Sequence, residues 1–311
     1  MEILKNPSPH RPLVSINFCR STFRDKAATD PNRWWLLQNF LTHYFEFRFD
    51  DRPDFIFYAD LNSAQILKCS SNAIRIFYTG ENILPNWNIA DYALTHEPIY
   101  NERHWRLPLH RTWFDTRCSK AERDFDVISK RVNRFCNFIY SNESAKERID
   151  FFNLLGHYKR IDSGGRVANN MKDPLGDTIE AKLDLVRQCK FTIAFENASR
   201  SGYATEKIVQ PLLHGSIPIY WGDPDIALDF NPDCFINVHK YDSLEEVVKE
   251  IQRIDQDDNL WKKYVTAPIF KEGKLPEKLS DKALLDFFSQ IFSKKRHQIP
   301  RFKKFFQCAN G

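Results

Sequence analysis

The chain has 311 residues, room for two domains that each bury a core without disulfide staples. Its 26 Phe, 11 Tyr and 7 Trp against 10 Gly and 16 Pro exclude collagen-like, mucin-like and wholly disordered chains. Lys and Arg number 45 against 41 Asp and Glu, a net charge of +4, too balanced for a dedicated nucleic-acid binder.

The apolar run Leu13–Phe18 predicts a strand. Leu37, Phe40, Leu41 and Tyr44 recur at helical spacing, so a helix is expected over Trp34–Tyr44. Phe45, Phe47 and Phe49 alternate with polar residues as a strand does, and Asp51-Arg52-Pro53-Asp54 ends it. Phe55–Tyr58 and Arg75–Tyr78 read as further strands, with a short helix over Asn62–Cys69 between them. Strands alternating with helices predict an α/β domain with a mainly parallel sheet. Residues 101–134 are irregular and mixed in charge, as loops or an interdomain segment would be.

A second α/β series begins with a strand at Phe135–Tyr140 and a helix over Ala145–Tyr158. Ile179, Leu183 and Val186 mark a helix before the strand Phe191–Phe195. Thr205 is placed to cap a helix from Glu206 to Gly215 that Pro211 bends, and Ile217–Tyr220 follows as a strand. Leu284, Phe287, Phe288, Ile291 and Phe292 form the apolar face of a late helix, expected to cross back over the first domain. The reading is two Rossmann-like domains facing across a cleft, 1–134 and 135–280, with 281–311 as a C-terminal helix and basic aromatic tail. Seven scattered cysteines without a CxxC pair read as reduced, mostly buried thiols. Residues 1–17 show no basic region followed by an apolar run, and no stretch approaches the roughly 18 apolar residues of a membrane span.

Polar residues collect where strands end, the edge at which open parallel sheets bind ligands. Glu81 follows Tyr78-Thr79-Gly80 and reads either as a general base or as a solvated loop carboxylate. Phe195-Glu196-Asn197 ends a strand, and Gly202-Tyr203-Ala204-Thr205-Glu206-Lys207 opens the next helix. The helix start suits a phosphate, Lys207 adds charge, and Glu206 can accept from two vicinal hydroxyls such as those of a ribose. The plain alternative is a capped, solvated helix end. Arg148 reads as a ligand for the same site or as an ordinary surface arginine. Asp162-Ser163-Gly164-Gly165-Arg166 is a glycine turn suited to wall a nucleotide pocket, yet it matches neither GxGxxG nor a P-loop. Asp223-Pro224-Asp225 could hold a divalent ion beside a diphosphate, but the proline and Gly222 favour an ordinary turn. No HExxH or Gly-x-Ser-x-Gly motif is present.

Phe195-Glu196-Asn197, Gly202-Tyr203, Thr205-Glu206-Lys207-Ile208 and Ile217-Pro218-Ile219-Tyr220-Trp221-Gly222, with the spacing between them, resemble the signature of the alpha-1,3/4-fucosyltransferases. Tyr78–Asn82 with Pro85-Asn86 and Asp91-Tyr92 resembles the first-domain motif of the bacterial branch, and Phe230-Asn231-Pro232 with Phe235-Ile236-Asn237-Val238 extends the likeness. The resemblance implies an inverting, GT-B type glycosyltransferase. It would move L-fucose from GDP-β-L-fucose to the 3-hydroxyl, or the 4-hydroxyl, of N-acetylglucosamine in a glycan such as N-acetyllactosamine. It implies Glu81 as catalytic base, Arg148 and Lys207 as diphosphate ligands, Glu206 as ribose ligand, and Asn197 and Tyr203 as further donor contacts. The second domain would hold the donor and the first most of the acceptor. No metal is required on this reading, and a divalent ion is at most a stimulant. Two alternatives stay open: a GT-B enzyme with another nucleotide sugar or acceptor, and a noncatalytic glycan-binding protein. The tail interleaves Lys294, Lys295, Arg296, Arg301, Lys303 and Lys304 with Phe302, Phe305 and Phe306. That pattern suits weak contact with an anionic membrane or solvated disorder. The expectation is a cytoplasmic enzyme, peripheral on the inner membrane face, using a lipid-linked acceptor and no nucleic acid.

Overall fold

The computed structural model describes residues 10–19, 36, 40–59, 66, 72–79, 82–99, 101–113, 123–143, 145–172, 175–176 and 178–298. The chain divides into two compact units. One runs to Leu107 and resumes at Glu277; the other is Pro108–Pro276.

The first unit is built on a six-stranded sheet of β1 (Leu13–Phe18), β2 (Glu46–Phe49), β3 (Phe55–Tyr58), β4 (Ile74–Tyr78), β5 (Tyr92–Thr95) and β6 (His104–Arg106). The order is β2-β1-β3-β4-β5-β6 and every pairing is parallel. Register follows the apolar residues, with Ile16 opposite Phe55, Phe57 opposite Ile76 and Ile76 opposite Tyr92. A parallel sheet must be covered on both faces, and β3 and β5 are buried at every position. The C-terminal helix Asp281–Phe292 supplies part of that cover. Ser280 caps it by accepting from the Ala283 N–H. Its Leu284, Phe287, Phe288 and Ile291 are buried against this sheet's core, and the Phe292 ring meets Phe55 edge-on at 4.9 Å and Phe45 at 5.0 Å. The helices expected over 34–44 and 62–69 lie largely outside the described residues, and Leu41–His43 forms a 3-10 turn.

The second unit holds α1 (Leu109–Trp113), α2 (Phe125–Arg131), β7 (Arg134–Phe138), α3 (Lys146–Gly156), β8 (Ile161–Ser163), α4 (Ile179–Gln188) and β9 (Cys189–Phe195). It continues with α5 (Glu206–Leu213), β10 (Ile217–Trp221), β11 (Ile236–Asn237), α6 (Leu244–Gln256) and α7 (Asp258–Thr266). The sheet runs β11-β10-β9-β7-β8, again all parallel. All seven residues of central β9 are buried.

This unit begins at Pro108, earlier than the 134/135 boundary expected from the sequence. The reason is packing. The His110 N–H donates to the Ala204 carbonyl at 3.0 Å, and its Nε2 meets Asp229 Oδ2 at 2.8 Å with both side chains buried. Ile128 of α2 is fully buried in the second core. A few buried anchors in a polar stretch carry too weak a period to show in sequence. A second correction concerns the thiols. Cys136, Cys189 and Cys234 are free and buried, but Cys19 is disulfide-bonded, so the chain is not wholly reduced.

Candidate functional site

In the second sheet β7 connects outward to β8 on one side, while β9 lies on β7's other side. Chain direction therefore diverges between the ends of β7 and β9, the switch point where open α/β sheets leave a crevice. A cavity of about 220 Å³ lies there, bounded by the loop 139–142 after β7, by α4 and by the start of α5. Arg148, Lys182, Asn197, Glu206 and Lys207 line it, with Tyr140 and Asn142.

Arg148 sits on the first turn of α3, yet it is only 1% exposed. The surface reading is thus set aside. One of its terminal nitrogens donates to the Phe195 carbonyl and to Asn197 Oδ1, both at 2.9 Å, and the other to the Asn142 carbonyl at 3.3 Å. Its guanidinium lies 3.8 Å over the Tyr140 ring. The Tyr140 hydroxyl donates to the Ile193 carbonyl at 2.7 Å and accepts from the Phe195 N–H at 2.8 Å. Arg148 and Tyr140 together tie the ends of β7 and β9 and hold a cation at the cavity wall. Arg148 Nε is buried without a partner.

The second cation is built differently. Thr205 caps α5. Fully buried Glu196 accepts the Thr205 N–H at 2.7 Å and the Thr205 hydroxyl at 2.8 and 2.9 Å on its two oxygens. Lys207 Nζ stands 3.0 Å from Glu196 Oε2, 3.0 Å from Thr205 Oγ1 and 3.5 Å from Glu206 Oε1. Burial opposes the ammonium's charge, but Glu196 foremost, then Glu206 and Tyr140, outweigh it and hold Lys207 above the ordinary lysine value. Burial likewise pushes the Glu206 carboxyl up, and Lys207, its own backbone N–H and Lys182 overcome this and hold it below the usual range. Lys182 on α4 is pushed below the ordinary lysine value by burial, against the pull of Glu206. Gly222 walls the cluster, because a Cβ there would lie 2.4 Å from Glu196 Cγ.

The first N–H groups of α5 are mostly taken. Thr205 N–H goes to Glu196, Glu206 N–H to its own carboxylate and Lys207 N–H to Thr205 Oγ1. The expectation that this helix start itself cradles a phosphate is therefore modified. The positive charge lining the cavity is carried by the side chains of Arg148, Lys207 and Lys182.

Four of the five residues singled out for donor contacts, Arg148, Asn197, Glu206 and Lys207, share this cavity. Tyr203 does not line it. It is 6% exposed in the loop beneath, where its carbonyl accepts from the Tyr220 hydroxyl at 3.4 Å. The glycine turn 162–166 packs under Tyr140, whose backbone oxygen a Cβ on Gly165 would approach to 2.3 Å, and does not line the cavity. Glu81 and Gly80 lie outside the described residues; Tyr78 before them ends β4. Asp223 and Asp225 form a turn, the Asp225 N–H donating to Asp223 Oδ1 at 2.9 Å and Ser201 Oγ to Asp225 Oδ2 at 2.5 Å. Among the described residues no group of three or more His, Cys, Asp or Glu is placed to hold a metal ion. Sequence reasoning assigned no role to Glu196 or Lys182. Glu196 carried a signal in its place beside Asn197 at a strand end, whereas Lys182 had none.

Asp91 of the first-domain motif is structural. Its carboxylate accepts from the Arg75 N–H at 2.9 Å, from Arg75 Nε at 3.2 Å and from Arg296 at 2.9 Å. Arg296, one of the basic residues of the tail, is thereby committed to the first unit.

Residues 128–267 match the model described as glycosyltransferase family 10 (fucosyltransferase) C-term, and residues 22–113 that of the alpha-(1,3)-fucosyltransferase FucT N-terminal domain. The chain is 32% identical over 278 residues to the alpha-(1,3)-fucosyltransferase FucT of Helicobacter pylori, covering 76% of this chain and 57% of that one. It is 34% identical over 164 residues to the putative fucosyltransferase R654 of Acanthamoeba polyphaga mimivirus, covering 49% of this chain and 27% of that one. The chain thus spans 57% or less of the length of these two relatives. A crystal structure of an alpha1,3-fucosyltransferase superposes with a TM-score of 0.79 at 25% identity, covering 94% of both chains. The same comparison with a GDP-fucose complex gives 0.75, covering 92% of this chain and 93% of that one. The two-unit architecture matches these structures, a GT-B type α/β fold.

Proposed function

Because this chain belongs to the family 10 glycosyltransferases, the fucosyltransferases, we propose that it transfers L-fucose from GDP-β-L-fucose to a hydroxyl of an N-acetylglucosamine unit, with inversion. The observation that carries this reading is the convergence of Arg148, Lys207, Asn197 and Glu206 on one cavity at the second sheet's switch point. Arg148 and Lys207 hold the diphosphate. Glu206, kept ionised by Lys207 and Lys182, accepts from the ribose hydroxyls.

In the proposed step the acceptor oxygen attacks C1 of fucose on the face opposite GDP. The C1–O bond to the β-phosphate breaks, its electron pair stays on the phosphate oxygen, and Glu81 takes the acceptor's proton. The departing diphosphate gains charge, and preorganised cations stabilise it most where water is scarce. Arg148 is preorganised by three hydrogen bonds and the Tyr140 ring, so little reorganisation accompanies the step. The acceptor is assigned to the first unit, and the 3-hydroxyl is preferred to the 4-hydroxyl.

The test is GDP release from GDP-fucose with and without N-acetyllactosamine, with the product linkage read by NMR. Acceptor-dependent GDP release with an alpha linkage to O3 is expected. Turnover with another sugar nucleotide alone would replace this reading with a different GT-B activity, and glycan binding without turnover would make the protein a lectin-like module.

No helix among the described residues is long and apolar enough to cross a membrane. We propose a peripheral, cytoplasmic location in which the tail touches an anionic membrane presenting a lipid-linked acceptor. Lys295 is exposed and available for this, whereas Arg296 is tied to Asp91. Flotation with anionic vesicles at low salt should be lost on deleting residues 297–311; unchanged flotation would end the membrane role.

A further inference from the structure

Glu196 has no part in the reaction described above, yet it is fully buried beside the proposed diphosphate site. A carboxylate without exposed surface demands full compensation. Here it has the Thr205 N–H, the Thr205 hydroxyl and the Lys207 ammonium. With both oxygens occupied and no exposed surface, it is not placed to accept a proton from an incoming hydroxyl.

An ionised carboxylate can only accept hydrogen bonds. The Thr205 hydroxyl must therefore point its hydrogen at Glu196. Its lone pairs are left facing Lys207, and both the Lys207 N–H and Nζ donate to them, at 3.4 and 3.0 Å. Two of the three ammonium N–H bonds are consumed in this way, one by Glu196 and one by Thr205. The third donates weakly to Glu206 Oε1 at 3.5 Å on the cavity wall, the longest of the three bonds and so the one that a diphosphate oxygen in the cavity would share or take over. Gly222 leaves room that the Glu196 side chain needs, since a Cβ there would meet both its Cβ and Cγ inside 3 Å.

We propose that Glu196 is a positioning residue for the donor diphosphate: through its ion pair with Lys207 and through the Thr205 hydroxyl it aims one ammonium N–H at the diphosphate. This rests on Lys207 contacting that diphosphate, as proposed above. An amide in place of the carboxylate could donate to Thr205, turn its hydroxyl around, and release Lys207 from both anchors.

The experiment is a double-mutant cycle read by calorimetric titration with GDP and, separately, with guanosine, which lacks the diphosphate. The variants are Glu196→Gln, Lys207→Met and the pair together, with Thr205→Val as an independent break in the relay. Loss of charge-assisted hydrogen bonds of this kind corresponds to roughly ten- to hundredfold in affinity. Glu196→Gln and Thr205→Val should each weaken GDP by about tenfold or more and guanosine by less than about twofold. On the Lys207→Met background, Glu196→Gln should change GDP affinity by less than about twofold. An equal effect of Glu196→Gln on both backgrounds, or equal weakening of GDP and guanosine, would overturn the proposal. If Lys207→Met alone leaves GDP binding intact, it is the assignment of the diphosphate site that fails. Should Glu196→Gln not fold, as judged by circular dichroism, Glu196→Asp takes its place in the cycle. That variant keeps the charge but shortens the reach, and absence of coupling to Lys207 would again refute the positioning role.

Discussion

Removing the Lys207 charge should leave a pH signature in stability as well as in binding. Lys207→Met keeps an unbranched apolar stem, one atom shorter, but takes the ammonium from its place 3.0 Å from Glu196 Oε2. The Lys207 side chain is 16% exposed and that of Glu196 is fully buried, so solvent cannot stand in for the lost charge. Breaking a buried pair by removing one partner costs about 3–5 kcal/mol. Two Thr205 donors stay on the carboxylate, which places this case near the lower end, about 3 kcal/mol at pH 8. Burial pushes the Glu196 carboxyl up, and Lys207 is the foremost group opposing that push. Without it, the folded-state value rises further above the unfolded value of about 4.3. A raised carboxyl contributes stability that is fully present below the unfolded value and lost as pH climbs through the folded one. The variant's deficit against the parent should therefore be smaller at pH 5 than at pH 8. The difference amounts to about 1.4 kcal/mol for each unit by which the substitution raises the group within that window. Urea unfolding of both proteins at the two pH values, with matched m-values, measures it. A deficit that is the same at pH 5 and pH 8, or below about 0.5 kcal/mol at both, would refute a buried, ionised Glu196 compensated by Lys207.

Glu81→Gln should keep GDP affinity while transfer falls on the order of 10²–10⁴-fold, measured by calorimetry and by fucosylation of N-acetyllactosamine; near-normal turnover would remove Glu81 as the base. Arg148→Lys should weaken GDP by roughly tenfold and lower the unfolding midpoint. A lysine there lacks the fork that reaches Phe195, Asn197 and Asn142 together and the planar group over Tyr140. Guanosine binding by the same variant should hold, and a parallel loss would mean that Arg148 acts through the fold alone. Transfer should persist in EDTA, because the cavity's cations are side chains; complete loss restored by Mn²⁺ would return Asp223 and Asp225 to consideration.

Local patterns in the chain were enough to define the α/β class, most of the strands of both sheets and the capped start of α5. Each depends on neighbours along the sequence: an apolar run, a helical period, a threonine before Glu206. Four residues that line the second unit's cavity, Arg148, Asn197, Glu206 and Lys207, were also singled out in advance through motif resemblance. What local pattern could not decide was pairing across distance. Arg148 has the appearance of a surface residue on its own helix, and only the meeting of β7 with β9 buries it against Phe195, Asn197 and Tyr140. Asp91 belongs to a recognisable motif, but its work as a clamp for Arg75 and Arg296 depends on partners 16 and 205 residues away. Residues 101–134 read as loops or an interdomain segment because the anchors within them, His110 and Ile128, are single side chains whose partners lie in the second unit. Glu196 sits next to a residue already singled out, yet nothing in a strand-end glutamate tells exposed from buried. That is decided when Gly222, Thr205 and Lys207 close around it, and a carboxylate shut away from water then has to organise its neighbours to remain charged.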